Sequence, residues 1–102
     1  MIRFYDKETH LEINSLGKSF GIVRVGESKK IILDVKNDSK AILLDIKFSS
    51  DNSEIKILKA PIELKAGEEK DLVVEWIPIL KKEIGLRCKL NYTADELWGD
   101  KI

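Results

Sequence analysis

Apolar and polar residues alternate one for one in short runs along most of this chain, and turn-forming residues separate the runs. A period of two sends successive side chains to opposite faces of an extended backbone, so each run predicts a half-buried strand. Over residues 30–36 the apolar positions are Ile31, Leu33 and Val35. Asn37-Asp38-Ser39-Lys40 then predicts a turn, because Asn and Asp tolerate left-handed backbone and bond their own main chain. Residues 41–48 place Ile42, Leu44, Ile46 and Phe48 on one face, with Asp45 and Lys47 on the other. A polar run over 49–53 predicts the next loop.

Residues 54–58 form a shorter run ended by Pro61, which lacks a backbone donor and belongs at a sheet edge or crossover. Ile62-Glu63-Leu64 leads into a turn built around Gly67. Over 71–76, Leu72, Val74 and Trp76 share a face, and Pro78 ends that strand. Leu86, Cys88, Leu90 and Tyr92 alternate in the last run. Residues 10–14 and 20–26 are two further candidate strands. Only residues 94–98 lean toward helix, and that stretch is too short to stand alone in water.

Short strands at this spacing predict an all-β fold, an immunoglobulin-like β-sandwich of about seven to eight antiparallel strands. A closed barrel is the other arrangement open to them. The 102 residues fit one domain. Its core is expected over about 10–94, with an N-terminal arm at 1–9 and a C-terminal tail at 95–102. Trp76 is large enough to fill the middle of a core built without a disulfide.

The order of landmarks resembles the immunoglobulin-like domains of the abnormal-spindle/hydin type, which are related to major sperm protein. The resemblance runs from about residue 16 to 94. It rests on Phe20-Gly21-Ile22-Val23-Arg24-Val25-Gly26-Glu27-Ser28, on Leu33-Asp34-Val35-Lys36-Asn37-Asp38-Ser39, and on Ile62-Glu63-Leu64-Lys65-Ala66-Gly67-Glu68. Val74-Glu75-Trp76-Ile77-Pro78 continues it, and Gly85 stands where a glycine precedes the last strand. The resemblance implies an adhesive or scaffolding module and brings no catalytic residues with it.

Composition narrows the function classes. The chain is 43% hydrophobic and 35% charged, with 18 basic against 18 acidic residues. Zero net charge gives no general pull toward phosphate, which disfavours nucleic acid as a partner. No apolar stretch reads as a membrane span, and residues 1–8 carry no secretory signal. A cytoplasmic protein, or a virion protein assembled in a host cytoplasm, is therefore expected.

Candidate chemistry is sparse. His10 is the only histidine and reads as a solvated residue; Cys88 is the only cysteine and reads as a small core hydrophobe. Neither supplies a metal cluster or a nucleophile with its base. Asp51-Asn52-Ser53-Glu54 is rich in oxygens but has no spaced calcium motif and reads as a polar turn. Lys29-Lys30 and Lys81-Lys82 read as guards that keep strand edges soluble. No enzyme activity, cofactor or metal is expected.

The ends carry the binding expectation. Phe4, Tyr5, Leu97 and Trp98 fall outside the expected core, and aromatic residues of this kind anchor interfaces. The competing reading folds them back to close an end of the sandwich. The expected function is a structural module binding other protein subunits, as a capsid decoration, cement or tail-associated component of a viral particle, or as a homo-oligomer within an assembly. The alternatives are a cellular adaptor that binds a protein through a sheet edge and a carbohydrate-binding sandwich.

Overall fold

The computed structural model describes residues 2–13, 20–21, 23–79 and 90–98. The expected positions Leu16, Ile22, Lys81, Lys82, Gly85, Leu86 and Cys88 lie outside them. Among the described residues the chain is all-β, with strands β1 (Ile2–Asp6), β2 (Lys29–Asn37), β3 (Ile42–Ser50), β4 (Ile55–Lys59), β5 (Glu69–Trp76) and β6 (Leu90–Leu97). All pairings are antiparallel. One sheet has the order β1-β2-β5-β4 and the other pairs β3 with β6.

Alternation builds the larger sheet as the residues dictate. Leu33 and Val35 of β2 lie opposite Leu72 and Lys70 of β5, and Leu33, Val35, Leu72 and Val74 are fully buried. Trp76 is buried and its ring packs 5.7 Å from that of Phe20. Leu43, Ile46 and, partly buried, Phe48 close the same core from β3. The two sheets therefore share one apolar interior.

Several local expectations resolve differently. Residues 2–6 are no arm: Ile2 and Phe4 turn into the core and Ile2–Asp6 pairs with Leu33–Asn37 along its whole length. Residues 20–21 and 23–28 form no strand. Gly21 and Gly26 have φ of 66° and 86°, which breaks an extended run, and Lys29 Nζ instead bonds the Phe20 carbonyl at 2.8 Å. Residues 94–97, expected to lean toward helix or to begin a tail, finish β6, because pairing with β3 outweighs a weak local preference. After Pro61 the chain crosses to the smaller sheet, where Leu64 bridges Leu43.

Asn37 joins these parts. Its side chain is fully buried at the end of β2. Its Nδ2 donates to the carbonyls of Ala41 (2.8 Å), Leu64 (3.1 Å) and Lys65 (3.1 Å), while Oδ1 accepts from the N–H and Oγ of Ser39. Its main chain bonds Glu68 and Gly67. One amide thus ties the β2–β3 turn to the segment that crosses between sheets.

Candidate protein-binding surface

The surface of interest begins with a break in alternation. Along β3 the pairing with β6 shifts between Leu44 and Lys47: Leu44 faces Asp95 and Lys47 faces Thr93. Asp45 and Ile46 together stand against Ala94, a β-bulge whose first residue, Asp45, has φ of 50°. The extra residue flips the faces. Leu43, Ile46 and Phe48 point into the core, whereas Ile42 and Leu44 lie on the outer side, Ile42 being 38% exposed.

The expectation that Ile42, Leu44, Ile46 and Phe48 share one inward face is therefore corrected. Asp tolerates left-handed backbone better than most residues, but at a cost. Asp45→Gly is expected to stabilise the fold by about 0.5–1 kcal/mol, and Asp45→Val to destabilise it by about 1–2 kcal/mol, as chemical denaturation would measure.

The bulge leaves an apolar strip on the outer face of the smaller sheet. Ile42 stands opposite Leu97 of β6, which is 39% exposed. Ile62, 72% exposed, lies beside Ile46, whose N–H donates to its carbonyl at 2.9 Å. An open groove of about 520 Å³ lies beside Ile62, lined also by Asp45, Ile46, Lys47, Thr93, Ala94 and Asp95. Beyond Ile42 lie Glu63, Lys65, Glu68 and Lys70. The Glu68 carboxylate accepts the Lys65 N–H at 3.0 Å, and that bond, with help from the Lys70 charge, holds its pKa below the ordinary glutamate value. An apolar strip with a mixed charged rim has the composition of a protein-binding surface.

The four expected binding residues do not meet. Phe4 sits inside, its ring edge-on to Phe48 at 6.1 Å, and Phe48 in turn lies 6.4 Å from Tyr92. Tyr5, half-buried, faces the opposite side of β1 and bridges Glu12. Leu97 lies five residues along β6 from Tyr92, about 17 Å away at strand rise. Trp98 is half-buried beside it and donates from Nε1 to Glu96 at 3.0 Å. Leu97 thus borders the outer strip, Trp98 is tied to Glu96 just past the end of β6, and Phe4 belongs to the core.

The other candidate positions are occupied by structure. His10, with φ of 61°, closes a turn by donating its N–H to the Asp6 carbonyl. In the 51–54 loop, Asn52 Oδ1 accepts the Glu54 N–H, and Glu54 turns inward to accept bonds from Trp76 Nε1 (3.4 Å) and the Ile79 N–H (2.8 Å). Among the described residues no three His, Cys, Asp or Glu side chains group as metal ligands, and no helix is long and apolar enough to cross a membrane.

Comparison with models of protein families, with curated proteins and with solved structures finds no match to this chain. The surface has to speak for itself. The outward turn of Ile42 and Leu44 was hidden from sequence reading because alternation from Leu44 to Phe48 argues for a straight strand; the signals for a break are the consecutive apolar residues Ile42-Leu43-Leu44 and the Asp that follows them.

Proposed function

We propose that this chain is an immunoglobulin-like β-sandwich serving as a non-catalytic module that binds other protein subunits through the outer face of its smaller sheet. The observation that carries the reading is the outward strip of Ile42, Leu44, Ile62 and Leu97. A domain this small has little apolar surface to spare, and exposed apolar residues gathered on one outer face mark an interaction site. The strand order supports the fold assignment: β1-β2-β5-β4 facing β3-β6 corresponds to strands A-B-E-D facing C-F of an immunoglobulin arrangement.

The setting we propose is a viral particle, where a small domain repeated as a decoration, cement or tail-associated subunit needs a built-in apolar face. A cellular adaptor binding through a sheet edge is the second reading, and the edge of β6 supports it: among the described residues β6 pairs only with β3. A carbohydrate platform would want aromatic rings on the outer face, and the strip here is aliphatic.

The test is affinity capture of the tagged full chain in its source organism, with Ile42→Glu beside Lys56→Glu, an exposed β4 control. Ile42→Glu is expected to lose the partner subunits that wild type and Lys56→Glu retain. Retention by Ile42→Glu, with the fold confirmed by circular dichroism, overturns the assignment of the surface.

A further inference from the structure

The groove beside Ile62 is unevenly charged. Asp45 and Asp95 both line it, and among the described residues that do so Lys47 alone is basic. Asp95 stands opposite Leu44, the neighbour of Asp45 in the chain. Lys47 stands opposite Thr93, two positions back along β6 and about 7 Å away at strand rise. The two carboxylates therefore share one end of the groove, and the ammonium lies toward the other. Both aspartates are exposed, and neither is held by a cation of its own chain: the ion pairs among the described residues use Glu12, Asp38, Asp71 and Glu68.

Asp45 also sits where another residue would serve the fold better. Its φ of 50° suits glycine, so its carboxylate stands at the groove at a cost to stability. Strained backbone gathers at binding sites, where the side chain it presents is used. The apolar part of the lining is Ile62, 72% exposed, with Ala94 opposite the bulge. An apolar wall beside two carboxylates matches a side chain with an apolar stem and a cationic head. Lysine and arginine are built this way and lay their stems along apolar surface. Arginine suits two acids better, because its planar guanidinium offers five donors in a fixed fork.

We propose that this groove takes an arginine side chain of the partner protein, its stem along Ile62 and its guanidinium at Asp45 and Asp95. The proposal rests on the protein-binding reading of this face and adds the chemistry of the partner. The arriving cation relieves the repulsion between the two neighbouring carboxylates, and Lys47 discourages it from seating at the other end. Charge-assisted bonds from one guanidinium to the acids fix its orientation. At an exposed groove such pairing contributes mainly to the choice of partner and the speed of encounter.

Nuclear magnetic resonance titration of the full chain tests this, with three short peptides that carry arginine, lysine or glutamate between two leucines. The arginine peptide is expected to shift the amide signals of Asp45, Ile62, Ala94 and Asp95. It is expected to bind roughly tenfold more tightly than the glutamate peptide, with the lysine peptide between them. Asp45→Asn combined with Asp95→Asn keeps a residue tolerant of left-handed backbone at position 45 and is expected to erase that preference. Equal binding of the arginine and glutamate peptides, or shifts confined to another face, overturns the proposal, as does a preference that survives in the double variant. In subunit capture the double variant is expected to lose most of the partner. If it retains a partner that Ile42→Glu loses, the surface reading stands and the arginine contact falls; if both variants retain it, both fall.

Discussion

Replacing Asn37 by alanine is expected to lower the unfolding free energy by about 2–4 kcal/mol, measured by urea denaturation. The amide donates into three carbonyls, of Ala41, Leu64 and Lys65, that belong to two separate stretches of chain, the β2–β3 turn and residues 64–65. Alanine leaves these acceptors without their shared donor in a place sealed from solvent. A buried acceptor left unmet costs more than an ordinary hydrogen bond contributes, because its desolvation is no longer offset. Asn37→Asp is nearly the same shape and is expected to be at least as damaging. Its carboxylate would set a negative oxygen where Nδ2 now faces carbonyl oxygens. A variant that matched wild type would mean water enters and takes over the donor's role.

The second large effect is expected at Trp76, where alanine should cost about 3–5 kcal/mol. Trp76 is 6% exposed, packs on Phe20, and closes the end of the core where β5 meets both β2 and β4. Removal opens a cavity that Phe20, itself fully buried, cannot fill without dragging the 20–28 segment from its place. Trp76→Phe keeps most of the packing and loses the bond from Nε1 to Glu54, so it is expected to cost far less than alanine. Thermal unfolding of the two variants side by side checks the ordering.

Much of the larger sheet was legible in the residues. Strict alternation at Ile31-Leu33-Val35 and at Leu72-Val74-Trp76 gave both the strands and their inward faces, because each strand runs straight between partners on both sides. Pro61 marked the crossover, and Gly67, with φ of 74°, marked its turn. The ends and the bulge were not legible. Residues 2–6 have too short a pattern to announce a strand, and only pairing with β2 makes them one. At Asp45 a single left-handed residue reverses what alternation predicts for its neighbours, and the apolar strip follows from that reversal. The expectation of binding at the aromatic ends is thereby redistributed: Leu97 borders the strip, Trp98 bonds Glu96 just past β6, Tyr5 lies elsewhere, and Phe4 packs within.

The proposed meeting of the bulged outer face of the smaller sheet with other subunits can be tested directly. The most direct measurement places a photo-cross-linking amino acid at position 97 or, as a control, at Leu58 on the exposed edge strand of the other sheet, and irradiates the full chain in its source. Covalent adducts with other subunits are expected from position 97 and not from position 58. Adducts formed equally from both positions, or from position 58 alone, would contradict the assignment.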